Sequence, residues 1–236
     1  MTTAAAVIIG NEILTGKFPD ENGPWLIARC RKLGVDLQRV AIIADEPETI
    51  AAEVRQSAAS ADYVFTTGGI GPTHDDVTME GVAAAFGRDL VSSPEIEALI
   101  RARTNGNVTP DVLRMAVIPS GCVLWQSNPN RFPVVVCENV LIFPGVPRYF
   151  QAKFNDIAHR LGGVPMASRQ LRTLAHESTI AAPLREAARR WPDVSVGSYP
   201  RFEDDPVSVI VALDSRDLEA LDACLSWLMG ELPQAP

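Results

Sequence analysis

Apolar residues come in short blocks along this chain, and the spacing within the blocks changes in a regular order. Residues 4–9, Ala-Ala-Ala-Val-Ile-Ile, are a continuous apolar run ending at Gly10, the pattern of a strand buried on both faces. A loop over residues 11–22 follows, then a helix over 24–33 that Asn22 can cap and Gly34 can stop. Residues 35–43 read as a second strand. Residues 48–60 give a helix with Ile50 and Val54 on one face, 63–67 a third strand, and 79–86 another helix. Strands alternating with helices of this length imply right-handed crossovers and a mainly parallel sheet.

The pattern then changes. Ser93-Pro94 opens a helix reaching about residue 104, and residues 110–115 give a shorter one. Residues 134–137 and 140–143 are apolar runs separated by Glu138-Asn139, which predicts a hairpin. Pro144-Gly145-Val146-Pro147 breaks the chain, and a helix runs on to about residue 160. Residues 161–165, Leu-Gly-Gly-Val-Pro, mark a boundary between a domain over 1–163 and a small α+β domain over 164–236. The second is predicted to run strand 169–176, helix 180–190, strands 194–199 and 207–213, and helix 218–228.

Composition narrows the partners. At 236 residues, 47% hydrophobic and 21% charged, the chain has the make-up of an ordinary soluble protein with a sizeable core. Its net charge of −8 repels nucleic-acid phosphates, and no basic run is interleaved with aromatics, so nucleic acid is not expected as a partner. Cys30, Cys122, Cys137 and Cys224 are far apart in sequence and read as small hydrophobes in a reducing cytoplasm. Residues 1–10 have no basic start and read as a strand rather than a secretory leader, and no apolar run has membrane-spanning length.

The candidate chemistry lies in the turn after the third strand. Thr67-Gly68-Gly69-Ile70-Gly71-Pro72-Thr73-His74-Asp75-Asp76-Val77-Thr78 joins a strand to a helix N-terminus. Glycines let backbone approach a phosphate, and the open N–H groups of a helix start point at it. Carboxylates repel phosphate, so Asp75 and Asp76 in the same turn call for a divalent metal between them and the ligand. The third glycine of the dinucleotide fingerprint is missing, and no Gly-Lys-Ser/Thr occurs. A strand order of 2-1-3 would bring this turn beside Gly10-Asn11-Glu12 and Asp45, where ligands bind in doubly wound sheets. Glu12, Asp20, Asp45, Asp75 and Asp76 would then share one mouth, although Asp20 and Asp45 could equally be caps. His159 and His176 have no metal-ligand spacing.

At these residues the chain resembles the molybdopterin-binding-like (MoCF) superfamily. It is most similar to the amino-terminal part of competence/damage-inducible CinA proteins and the matching domain of FAD synthases. The resemblance covers about residues 4–160. It rests on Gly10-x-Glu12-x-Leu14-x-Gly16, Asp20-x-Asn22, Asp45-Glu46, the Thr67 to Thr78 turn and Phe143-Pro144-Gly145-Val146-Pro147. It implies a MogA/MoaB-like three-layer α/β fold with a mainly parallel sheet, followed by the small α+β domain. It also implies a small-molecule nucleotide or pterin as ligand.

Two chemistries come with the resemblance. One branch adenylates molybdopterin with Mg²⁺ and acids aligned with Asp45 and Asp76. CinA-type domains are instead associated with metal-dependent hydrolysis of ADP-ribose, and the FAD synthase domain with hydrolysis of FAD. The molybdopterin branch carries Arg-Asp where this chain has Asp75-Asp76, and a second carboxylate favours holding metal over clamping phosphate. The expectation is therefore a pyrophosphatase using Mg²⁺ or Co²⁺, with K⁺ as a further candidate ion. Asp45, Asp75 and Asp76 would hold the metal, and Asp45, Asp76 and Glu12 would carry the catalysis, Glu12 as a further ligand or as the base. Gly10, Asn22, Thr67, Gly68, Gly69, Gly71, Thr73 and Thr78 would bind substrate, with Gly145 and Pro147 forming the far wall. The alternatives are a binding module for a pterin or nucleotide without turnover, or molybdopterin adenylyltransfer. With the sequence read to Pro236, neither the amidase activity of CinA nor the nucleotidyl transfer of FAD synthase is expected of these 236 residues. Strands of the second domain could support a homo-oligomer.

Overall fold

The structure is a computed structural model that describes residues 1–104, 108–126, 128 and 130–232. The chain divides into two compact units, Met1–Gly163 and Val164–Pro236.

The first unit opens with β1 (Thr3–Ile9), the one-turn helix α1 (Asn11–Leu14) and α2 (Asn22–Leu33). Then come β2 (Asp36–Ile43), α3 (Pro47–Ser60), β3 (Tyr63–Thr67) and α4 (Thr78–Phe86). Next are β4 (Leu90–Ser92), α5 (Pro94–Arg103), α6 (Pro110–Arg114), β5 (Val117–Pro119) and β6 (Val123–Trp125). The unit closes with β7 (Val134–Cys137), β8 (Val140–Phe143) and α7 (Pro147–Ile157), which tightens into a 3₁₀ turn over Ala158–Arg160.

The main sheet has the order β2-β1-β3-β8-β7-β6. β1 is parallel to β2 and β3, and β3 is parallel to β8, while β7 and β6 return antiparallel as the arms of a meander. Two layers cover it. On one face Val7 and Ile9 pack with Ile50, Val54 and Val82 of α3 and α4. On the other, Ala4 and Ala6 are small, and the room is filled by Phe65, Phe143, Phe150 and Phe154. Phe143 and Phe150 meet edge to face with centroids 5.3 Å apart, and Trp25 meets Phe150 the same way at 5.5 Å. Such pairs add about 0.5–1.5 kcal/mol each beyond the area they bury.

The sequence pattern places the long elements to within a few residues, its strand over 169–176 ending at Thr173 and its helix over 180–190 starting at Glu177, and misses four short ones. Residues 11–14 form a helical turn where a loop was expected, and the three-residue strands β4, β5 and β6 are too short to show a period of two. Asn22 is the first residue of α2 and not its cap. Asp20 accepts the Asn22 and Gly23 N–H groups at 2.9 and 3.0 Å instead. Gly34 stops α2 in the left-handed region, φ 72°. Cys30, Cys137 and Cys224 are buried free thiols, and Cys122 is half-buried.

The second unit is β9 (Ala167–Thr173), α8 (Glu177–Arg190), β10 (Ser195–Arg201), β11 (Ser208–Ser215) and α9 (Leu218–Glu231). Its antiparallel sheet has the order β10-β11-β9. Val209, Val211 and Leu213 form its core with Ile180, Ala187, Leu221 and Leu228. Among the described residues no helix is long and apolar enough to cross a membrane.

Candidate functional site

β1, β2, β3 and β8 run parallel, so the loops that follow them emerge at one edge of the sheet. Backbone contacts tie these loops together. The Gly10 N–H donates to Ile43 O at 3.1 Å, and the Gly68 N–H to Phe143 O at 3.2 Å. Gly68 lies at φ 108°, and a Cβ there would stand 2.0 Å from Ile9 O, so the turn after β3 can lie against the end of β1 only with glycine at this position. Gly145 crosses Gly68 so closely that a Cβ on it would be 3.2 Å from the Gly68 Cα.

Side chains fasten the same loops. The Thr67 hydroxyl donates to Pro144 O at 2.9 Å and accepts the Asn22 amide at 2.9 Å. The Asn22 amide also donates to Gly145 O at 2.7 Å. The buried Thr78 hydroxyl donates to Gly68 O at 2.8 Å, and the Thr78 N–H to Gly69 O at 3.0 Å. Thr67 and Thr78, expected to meet substrate, thus hold the turn in shape. Asn22 is only 5% exposed, and its Oδ1 has no partner among the described residues. A buried acceptor left open is costly, so this atom is suited to receive a donor from a ligand.

Carboxylates from three loops gather around the turn. Asp45 Oδ2 accepts the Asn11 N–H at 2.7 Å, and its Oδ1 lies 3.5 Å from where a Cβ of Gly69 would stand. Glu12 folds back over Gly10, and its Oε1 is 2.7 Å from the corresponding point there. Asp76 Oδ2 accepts the Thr73 N–H at 2.8 Å and lies 2.6 Å from that point on Gly71. Burial pushes the Asp45 carboxyl above the usual carboxylate range. The charges of Glu12, Asp75 and Asp76 push the same way, against the Asn11 N–H. Asp75 is exposed at the rim, and Pro147 stands at the start of α7. Asp20 is accounted for as the cap of α2. Among the described residues no three His, Cys, Asp or Glu side chains are already gathered to hold a metal ion.

α4 starts directly behind the glycines with no side-chain cap among the described residues, and this leaves its first turn open to an anion. Between them lies a small cleft of about 80 Å³, whose lining includes Gly69, Gly71, Asp76, Glu80 and Arg114, with Met79 and Met115. Arg114 is the residue that sequence reasoning missed. It comes from α6, some forty residues beyond the turn, and no local motif marks it. Asn22 was expected from the sequence both to bind substrate and to cap α2; Asp20 takes the capping bonds, and the Asn22 amide turns to Thr67 and Gly145 instead.

Residues 5–163 match the probable molybdopterin binding domain, and residues 165–235 match the FAD synthase middle domain. A protein from Archaeoglobus fulgidus is 34% identical over 214 residues, 90% of either chain. A probable FAD synthase from Caenorhabditis elegans is 31% identical over 256 residues, 96% of this chain and 49% of that one. The chain therefore spans about half the length of that relative. A crystal structure of CinA from Thermoplasma acidophilum is similar in fold, with 28% identity and a TM-score of 0.62 over 68% of this chain and 98% of that chain. With most of its length inside the first of these matches, the chain belongs to the family of the probable molybdopterin binding domain.

Proposed function

We propose that this site hydrolyses the diphosphate linkage of a nucleotide, ADP-ribose or FAD in class, and releases AMP. The observation that carries the reading is a glycine turn before an uncapped helix, ringed by carboxylates from three loops. The turn suits phosphate, the carboxylates do not, and a hard divalent cation reconciles the two. The donor set fits Mg²⁺ or Co²⁺. Asp45, Asp75 and Asp76 would hold the ion, with the remaining positions left to phosphate oxygens and water, as Mg²⁺ prefers. When bound, the cation would neutralise charge on the diphosphate and ease its attack by water.

The chain's own residues supply the rest. Backbone N–H groups of Gly69 to Gly71 and the first turn of α4 orient the diphosphate, while the Gly68 N–H stays on Phe143 O. Glu12, held beside Gly10, takes a proton from the attacking water. The water oxygen bonds to one phosphorus, the P–O bond to the bridging oxygen breaks, and the departing phosphate takes up a proton. Asn22 Oδ1 accepts a hydroxyl or amino hydrogen of the nucleotide. The absence of a gathered three-acid cluster among the described residues favours a second reading, a module that binds a nucleotide or pterin without turnover.

The deciding experiment offers ADP-ribose, FAD, NAD⁺ and diadenosine diphosphate to metal-stripped protein, with and without Mg²⁺, Mn²⁺ or Co²⁺, and follows AMP. Metal-dependent release is expected, and Asp76→Asn should abolish it with an unchanged melting temperature. Ligands that raise the melting temperature without any AMP release would replace the hydrolase with the binding module.

A further inference from the structure

Every carboxylate of the proposed site repels the ligand that the site is proposed to bind. A cation also reaches the turn. Arg114, the last residue of α6, reaches the glycine turn and lines the same small cleft as Gly69, Gly71 and Asp76. Its Nη1 donates to Thr73 O at 3.4 Å, and its Nη2 stands 3.7 Å from Glu80 Oε1. Both contacts are long, and the side chain is 42% exposed. A guanidinium carries five N–H donors in a planar fork, so two weak contacts leave most of that capacity for a phosphate. A cleft of about 80 Å³ is far below the size that encloses a whole nucleotide, and it suits a single anionic group.

We propose that Arg114 grips one phosphoryl group of a nucleoside diphosphate, the one farther from the nucleoside, and so makes the site select diphosphates over monophosphates. In the free protein Glu80 holds the guanidinium beside the cleft at 3.7 Å. Phosphate binding exchanges that long, half-exposed ion pair for a bidentate one. The cation comes from α6 and not from the turn itself, so Asp75 can stand in the turn without leaving phosphate unpaired. The inference rests on the reading of the site as one for a nucleotide diphosphate. It adds which residue recognises the second phosphate.

Binding of ADP, AMP and adenosine is measured calorimetrically in Mg²⁺ for the wild-type chain, Arg114→Ala and Arg114→Lys, beside the AMP-release assay with ADP-ribose. The wild type should bind ADP more tightly than AMP. Arg114→Ala should weaken ADP by about tenfold or more, the scale of one charge-assisted contact, and leave AMP and adenosine unchanged. Arg114→Lys should recover part of the loss, and all three proteins should melt alike. ADP affinity unchanged in Arg114→Ala, or ADP and AMP weakened equally, would overturn the assignment. The two proposals separate cleanly. Loss of ADP selectivity without AMP release from any substrate removes the hydrolase and keeps the phosphate grip, whereas AMP release indifferent to Arg114 in KM and in binding does the reverse.

Discussion

Asp45 shows the conflict between holding the fold and holding a ligand within a single side chain. Its carboxyl is raised by burial and by Glu12, Asp75 and Asp76. The folded chain therefore binds this proton more tightly than the unfolded chain. The favourable contribution is present below the ordinary carboxylate range and is lost as pH rises through the raised folded value. At neutral pH the charge is a burden. Asp45→Asn keeps an oxygen for the Asn11 N–H and removes the charge, so it should raise the melting temperature at pH 7 while abolishing metal-dependent AMP release. The gain should shrink as pH falls into the range where the free carboxyl protonates, which a series of thermal melts from pH 3 to 7 would follow. At this scale the sequence was partly legible. Glu12, Asp45 and Asp76 stand out as acids in glycine-rich loops, and the structure places them around one turn. Asn22 was read both as a cap and as a substrate-binding residue, and the carboxylate two residues earlier has the capping role. Arg114 had no signal, since only the tertiary fold brings α6 to the turn.

Among the elements, those with a full hydrophobic period were readable and those without one were not. β1, β3 and α3 announce themselves through continuous or helically spaced apolar positions that end up buried. β4 is three residues long and exposed throughout, so no alternation could reveal it. The packing of α4 on α3 depends on a residue that reads as a defect in a helix. Gly81 faces Ile50 so closely that a Cβ would lie 2.4 Å from its Cγ2 and 3.2 Å from Pro47 O. Gly81→Ala returns up to about 1 kcal/mol of helix propensity, but forcing a methyl into this contact costs about 1–3 kcal/mol. The expected result is a net loss of order 1 kcal/mol in urea denaturation. A variant as stable as the wild type would show that α4 can slide away from α3 at little cost.

For the molecule as a whole, topology follows from the alternation of strands and helices. The order β2-β1-β3 brings the loops after the first and third strands together, and the loop after the second borders them. That convergence could be anticipated, because it follows from right-handed crossovers in a parallel sheet. The antiparallel return through β7 and β6 was visible only as far as its hairpin. Each of the two units has a core of its own, and every residue of the proposed site lies in the first. Residues 1–163 expressed alone should therefore unfold cooperatively and bind ADP as the full chain does. Loss of binding in a folded 1–163 fragment would assign the second unit a part in recognition.

The glycines of the site have a consequence for anyone who would alter it. At Gly10, Gly69 and Gly71 the space that a methyl would fill lies against Glu12, Asp45 and Asp76 in turn, or against the Thr78 hydroxyl. Charge is positioned here by what the backbone lacks. Adding one uncharged carbon at Gly10 or Gly71 would relocate a carboxylate without deleting it, much as widening a frame moves what is mounted on it. The field across the cleft can thus be tuned at constant net charge, through residues that carry no charge themselves.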